Sequence, residues 1–310
     1  MTRILITGAA GTVGRALLTE VKDLAVFATD LNRPSDLPED TAFLHLDVTT
    51  EEAARVIAKV KPEVIVHLAS IVTPPPGMGR QKAFDVDVTG TKNVLNAAIA
   101  NGVRRLVVTS SGAAYGYHPD NRVPLREKDP LRGNAEFPYA DHKRQVEEML
   151  AEARQRAPQL EQVVLRVGTV LGEGTDNQIT ALFHKPRLLA VSGSDSPFVF
   201  IWTRDLARIL KRAATDGPAG IFNVAGDGAL GITELAHLLN KPVLRLPAWA
   251  IRSVLSLARP LGLSRYGPEQ VRFLQYRPVL DNTALKTDFG YTPEKTSAEV
   301  FALWRGWAGL

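Results

Sequence analysis

The chain has no cysteine, which excludes disulfides, thiolate nucleophiles and cysteine-based zinc sites together. Its six histidines are scattered without the short, regular spacings of metal ligands, so no metal is expected. Long apolar runs are missing too: none reaches the roughly 18 residues needed to cross a bilayer. Met1-Thr2-Arg3-Ile4-Leu5-Ile6-Thr7 carries one cation but leads at once into a glycine run, which is not the pattern of a signal peptide. Repeats and low-complexity tracts are absent apart from Pro74-Pro75-Pro76-Gly77, read as a rigid loop. These absences predict a soluble, cytoplasmic protein without an integral membrane segment. The formal net charge of +4 gives no reason to expect a nucleic-acid partner. That charge is uneven, with Lys241, Arg245, Arg252, Arg259, Arg265, Arg272 and Arg277 set against Glu269 alone. Such a stretch suits an anionic substrate, an acidic lipid surface or water. The spacing of Arg245, Arg252, Arg259 and Arg265, close to every seventh residue, favours the solvated stripe of a helix.

What is present is a rhythm. Apolar, β-branched runs at residues 3–7, 24–30, 41–48, 63–70, 105–111 and 162–171 predict strands, and the run Glu63-Val64-Ile65-Val66-His67-Leu68 fits a strand buried on both faces. Helical patterns fall between them at 13–22, 51–60, 83–101 and 139–156. Strand and helix in alternation predict an α/β fold with a doubly wound parallel sheet. The length and the 45% hydrophobic content suit one large wound unit over residues 1–171 and a smaller C-terminal substrate-binding lobe over 172–310, with some of its segments returning to the first. A further helix is expected over 247–263, where Trp249, Ile251, Val254, Leu255 and Leu257 mix with arginines. That mixture suits a bulky apolar ketone or a membrane surface.

Gly8-Ala9-Ala10-Gly11-Thr12-Val13-Gly14 lies at the first strand-helix junction. There Gly8 permits a sharp turn, Gly11 lets backbone approach a pyrophosphate, and Gly14 lets helix and sheet pack closely. The opening of the helix, Thr12 and Val13, then faces the phosphates. Asp30 ends the next strand, where a carboxylate accepts bonds from ribose hydroxyls and repels a 2′-phosphate, so NAD is favoured over NADP. Arg33, close by, softens that preference. Asp47 and Val48 end the third strand, where Asp47 either meets an adenine edge or caps the following helix.

Tyr139-Ala140-Asp141-His142-Lys143 sets a phenol and an ammonium one helical turn apart on one face. A phenol titrates near ~10 in a model peptide, so a proton-transferring tyrosine needs its anion favoured by a nearby cation, which Lys143 and the nicotinamide cation of bound NAD+ could supply. Pro138 is a favourable helix opening. Tyr291 and Lys295 repeat the spacing, but Pro293 between them rules out regular helix.

On these residues the chain is similar to the short-chain dehydrogenase/reductase superfamily, in its extended or atypical branch of NAD-dependent epimerases, dehydratases and sugar or sterol dehydrogenases. The resemblance runs through the glycine loop, Asp30, HLAS from His67, DVTGTKNVLNAA from Asp87, SSGAAYG from Ser110, YADHK from Tyr139, LRVGTVLG from Leu165, IWTRDLA from Ile201 and FNVAG from Phe222. It implies a Rossmann fold that binds NAD, with cofactor contacts at Leu68, Ala69 and Ser70. It also implies Ser111 as the hydroxyl holding the substrate oxygen, Tyr139 as general acid/base, and Lys143 as its partner and a ligand of the nicotinamide ribose. His67 itself reads as a core histidine paired with backbone. Homodimers built on two long helices per subunit, here 83–101 and 139–156, are a further implication.

Two departures stand out. Asp87 replaces the asparagine usual in the helix associated with a proton relay. Pro197-Phe198-Val199-Phe200-Ile201-Trp202 is apolar where nucleotide-sugar epimerases carry a diphosphate-binding arginine, which counts against such a substrate unless an arginine from 245 to 277 turns inward. Aromatics alternating along that strand read as core before they read as pocket. The expectation is therefore an NAD-dependent oxidoreductase moving a hydride between nicotinamide and the secondary alcohol or ketone of a small-molecule substrate. A sugar epimerase or dehydratase is the alternative, and a non-catalytic dinucleotide-binding protein the second.

Overall fold

The computed structural model describes residues 2–75, 77–264 and 266–310. Met1, Pro76 and Arg265, which the sequence reading places in the N-terminus, the proline loop and the arginine stripe, lie outside them.

Strands β1 (Arg3–Thr7), β2 (Ala25–Asp30), β3 (Ala42–His45), β4 (Val64–His67), β5 (Arg105–Ser111) and β6 (Glu161–Val167) are joined by helices α1 (Thr12–Glu20), α2 (Glu52–Val60), α3 (Arg80–Phe84), α4 (Gly90–Ala100) and α5 (Pro138–Arg156), except that β2 runs to β3 through a loop. Their order in the sheet is 3-2-1-4-5-6, all parallel, with a seventh strand beyond β6. The order reverses direction between β1 and β4. In open sheets of this kind ligands bind beyond the carboxyl ends of the strands at such a switch point. β4 is buried along its whole length, as its unbroken Val-Ile-Val run requires.

The expected strand 162–171 is instead two. β6 stops at Val167, and after Gly168 the chain turns out of the main sheet into β7 (Thr169–Leu171), which pairs with β9 (Phe200–Trp202) in a two-stranded sheet. A side chain at Gly168 would meet Val199 Cγ2 at 3.1 Å and the Val199 carbonyl at 3.3 Å, so the bend is tight here. Val163 to Leu165 and Val167 to Leu171 are β-branched or apolar on both sides of this corner apart from Gly168, which is why sequence pattern alone joins the halves. The expected 63–70 strand likewise ends at His67, freeing residues 68–70 as loop. The expected helix 83–101 is α3, a π-helical turn over Asp85–Thr89, and α4.

Beyond α6 (Thr180–Phe183) and β8 (Leu188–Val191), helix α7 (Thr203–Ala214) returns to pack on α1, and β10 (Gly220–Val224) joins the main sheet beside β6. Leu206, Ile209 and Leu210 on α7 are buried in the cluster that holds Leu17 and Leu18 of α1, each burial worth about 1.5–3 kcal/mol. The remaining elements are α8 (Ile232–Leu238), β11 (Val243–Leu246) paired with β8, α9 (Ala248–Ala258), α10 (Gln270–Gln275), α11 (Thr283–Thr287) and α12 (Ser297–Trp307). A second core of Phe183, Phe198, Phe200, Phe301 and Trp304 fills this part. Phe198 and Phe200 are thus core, stacked 5.8 Å apart.

Candidate active site

The glycine loop forms a cradle at the β1 end. Gly8 has a φ of +70°, and a Cβ there would fall 2.6 Å from the Ala69 amide nitrogen. A Cβ on Gly14 would meet the Gly8 carbonyl at 2.4 Å, whereas one on Gly11 would meet nothing closer than 3.4 Å. The turn and the close packing therefore sit at Gly8 and Gly14, and open approach sits at Gly11. Gly11 caps α1 with no side-chain bond, so the first-turn amides of Thr12, Val13 and Gly14 are left for an outside acceptor. This cradle fits the diphosphate of a dinucleotide.

Asp30 closes β2 beside it. One carboxylate oxygen accepts the Ala10 amide at 2.9 Å and the other accepts Leu31 at 2.7 Å, so the residue also braces the glycine loop while each oxygen keeps a second lone pair. Arg33 lies over the Phe43 ring at 5.9 Å. Asp47 accepts both the amide and the hydroxyl of Thr49, at 2.9 and 2.7 Å, which is a turn-capping arrangement ahead of α2. The Val48 side chain is in the core against Gly90, and its carbonyl accepts Asn93 Nδ2 at 2.9 Å. Leu68 and Ala69 turn over the cradle, their amides donating to Thr7 at 3.1 and 3.5 Å.

His67 is a core histidine, but its partners are two threonine hydroxyls and not backbone. Thr91 Oγ1 donates to the Asp87 carbonyl at 2.6 Å, so it accepts from His67 Nε2 at 3.0 Å, and Nδ1 accepts from Thr7 Oγ1 at 2.7 Å. Burial first, then the nearby Lys143 charge, pull its pKa down to about 3 against the pull of Asp87. The ring is neutral.

Ser111, Tyr139 and Lys143 come together at the ends of β5 and α5. Ser111 Oγ accepts the Ala113 amide at 3.1 Å, capping a short 3₁₀ turn over Gly112–Tyr115. Lys143 is buried, donates to the Thr109 carbonyl at 2.9 Å and lies 5.6 Å from the centre of the Tyr139 ring. Burial pulls the ammonium's pKa down, while the Asp87 and Glu147 carboxylates support its charge. In the protein alone burial pushes the Tyr139 phenol's pKa upward, opposed by the Ser111 hydrogen bond, and the charges of Asp87 and Tyr117 add to the rise.

Asp87 has a partner that the sequence did not reveal. The π-helical turn carries it inward, where Oδ1 accepts Ser70 Oγ and the Ile71 amide, both at 2.8 Å, and Oδ2 faces His142 Nδ1 at 2.9 Å. Burial alone would raise this carboxyl's pKa, but the His142 bond, the Lys143 charge and the other two donors hold it below its usual value. His142 packs edge-on to Phe84 at 5.5 Å. Its place just before Lys143 was the available signal.

Beyond Tyr139 stands an aromatic wall in which Tyr117 meets Phe137 at 4.8 Å and Phe273 at 5.4 Å. Behind Phe273 is Arg277, which leaves the solvated stripe expected for residues 241–277. It is 8% exposed and lies 3.8 Å from the centre of the Phe198 ring and 5.0 Å from that of Phe273. It donates to the Ser196 carbonyl, but Nε meets no acceptor among the described residues. Burial without a carboxylate pulls its pKa down to about 9 against the attraction of Tyr117, so it is cationic at neutral pH. One arginine of the basic stretch does turn inward.

Comparison with known proteins agrees with this architecture. An uncharacterized protein of Mycobacterium tuberculosis is 25% identical over 307 residues, spanning 96% of this chain and 82% of its own. A 3-beta-hydroxysteroid dehydrogenase of Mycolicibacterium neoaurum is 32% identical over 146 residues, 44% of this chain and 37% of its own. UDP-glucose 4-epimerase of Thermotoga maritima, solved with UDP-glucose, has the same fold at a TM-score of 0.78 and 20% identity, covering 99% of both chains. The Thermus thermophilus UDP-glucose 4-epimerase, solved with NAD, superposes at 0.74 with 23% identity, also over 99% of both. The model of the NAD-dependent epimerase/dehydratase family matches residues 4–225, and with most of its length inside that match the chain belongs to this family of NAD-dependent enzymes.

Proposed function

We propose that the protein is an NAD-dependent oxidoreductase that interconverts a secondary alcohol and a ketone through Ser111, Tyr139 and Lys143. The observation that carries this reading is the meeting of the Ser111 hydroxyl and the Tyr139 phenol, with Lys143 across the ring, beside a glycine cradle built for a diphosphate. NAD when bound supplies the hydride acceptor at C4 of its nicotinamide. Ser111 holds the substrate oxygen, and Tyr139 takes its proton during oxidation and returns it during reduction, which limits the charge on that oxygen. Lys143 keeps a cation beside the phenol, anchored by Thr109. Asp30 favours NAD over NADP. The aromatic wall of Tyr117, Phe137 and Phe273 suits an apolar substrate skeleton, and the partial likeness to a hydroxysteroid dehydrogenase points the same way.

Arg277 supports a second reading, an epimerase acting on an anionic nucleotide sugar, because a buried cation without a carboxylate suits a phosphate. One experiment separates the two. With NAD and a panel of hydrophobic secondary alcohols, the oxidoreductase accumulates NADH in step with ketone. An epimerase returns the hydride and accumulates none, and failure of every alcohol alongside turnover of a nucleotide sugar would reverse the order of the readings.

Asp87 supplies a prediction with a definite sign. Its negative charge raises the Tyr139 pKa and supports the Lys143 charge. Asp87→Asn keeps the shape and removes the charge, so the phenol becomes easier to ionise. The limb of the pH–kcat profile that reports phenolate in alcohol oxidation moves to lower pH. A limb that stays in place would show that Asp87 does not act on Tyr139 through its charge.

A further inference from the structure

Helix α9 is apolar on two faces. Ile251 and Leu255 point inward and pack with Val191 and Val271. On the far side Trp249, Val254 and Leu257 are 70, 63 and 70% exposed, and Leu261 and Leu263, just past the helix, are 71 and 78% exposed. At 3.6 residues per turn the three helical side chains occupy an arc of about 140°. A surface helix normally turns only its polar side to water, and this one exposes three large apolar side chains together with Arg252, Ser253, Ser256 and Arg259. Residues 249–263 hold five of the eleven large apolar side chains that stand exposed among the described residues, so they form a patch and not the scattered singles found on any surface.

The charge around the patch says what covers it. No aspartate or glutamate occurs from residue 235 to 268, while Lys241, Arg245, Arg252, Arg259 and Arg265 do. Arg252 and Arg259 are exposed and flank the apolar arc about 60–80° beyond Trp249. Of the two, Arg259 has Glu269 beside it at 3.4 Å, whereas a second copy of the chain docked here about a two-fold axis would bring the Arg252 cations against their own images with a single acid per copy to offset both arginines. A planar anionic surface with an apolar interior meets both features, the arginines at the headgroups and Trp249, Leu257, Leu261 and Leu263 at the acyl boundary. We propose that α9 and the turn after it, residues 248–263, dock the protein on anionic lipid bilayers.

The test is flotation of the full chain with vesicles of phosphatidylcholine alone or mixed with phosphatidylserine. The wild type is expected to float with the phosphatidylserine vesicles, to remain behind with phosphatidylcholine alone, and to be released as salt shortens the Debye length. Trp249→Ser with Leu257→Ser, and separately Arg252→Glu with Arg259→Glu, are expected to lose flotation while keeping the wild-type melting temperature. These side chains lie outside the core, so loss of flotation with an intact melt is a loss of docking. The proposal falls if the wild type ignores phosphatidylserine vesicles, or if the serine variant floats as well as the wild type. It falls equally if light scattering shows a wild-type oligomer that the serine variant dissolves, because the face then belongs to a second copy.

Discussion

Tyr139→Phe is expected to lower turnover by about two to four orders of magnitude, the usual contribution of a positioned acid/base, and to leave NAD binding in place. The substitution removes one oxygen and leaves the ring, so the contact with the Lys143 ammonium and the burial of the site persist. The glycine cradle, to which the proposal assigns the diphosphate, lies on other elements altogether. The melting shift produced by NAD therefore stays close to that of the wild type, while ketone formation from an alcohol that the wild type oxidises disappears. Wild-type turnover in the variant would remove Tyr139 from the chemistry. Loss of the NAD-induced shift would instead mean that the phenol is part of the cofactor site. Ser111→Ala provides the companion measurement: a similar fall in kcat is expected, because the substrate oxygen loses its anchor.

The largest effect on stability is expected at Glu147. It pairs with Arg166 through three contacts, at 3.0, 3.0 and 2.7 Å, with both side chains buried. Ser110 donates to the same carboxylate, and Arg166 continues the network to Tyr115 and the Glu127 carbonyl, both at 2.8 Å. Glu147→Leu leaves the guanidinium buried without its carboxylate, a change that costs about 3–5 kcal/mol and lowers Tm by on the order of 5–15 °C. Adding Arg166→Met should restore much of the loss, since a buried ion pair replaced whole is often nearly neutral. A single Glu147→Leu that melts with the wild type would show that the pair carries no stability. Because Glu147 stands one turn after Lys143 and supports its charge, the double variant also asks whether the proposed site tolerates an apolar floor.

Much of this was legible in the sequence, and where it was not the reason is tertiary. Gly8, Gly11 and Gly14 could be placed because a tight turn, an open approach and a close packing are local demands on backbone. The alternation of strands and helices fixed the sheet for the same reason. The corner at Gly168 was hidden because Val167 and Thr169 read alike whichever sheet receives them. The Asp87–His142 contact spans 55 residues and depends on a π-helical turn that no periodicity announces. The direction of the Tyr139 shift could not come from spacing, since the Tyr-x-x-x-Lys pattern places the cation but says nothing of how dry the phenol is. Arg277 looked like the end of a solvated stripe, and only the packing of Phe198 and Phe273 around it separates it from the exposed arginines upstream.

The return of α7 to α1 and of β10 to β6 has a bearing on how the protein can be divided. The nucleotide-binding half takes its last strand, and the cover of its first helix, from chain that lies beyond the outer sheet of β7 and β9. A fragment stopping at Leu171 would leave the β6 edge unpaired and Leu17 and Leu18 without their lid, a sticky half-molecule. The main sheet and the chain after Leu171 are therefore laced by two crossings of one thread, and a single cut there would not leave two pieces with complete cores.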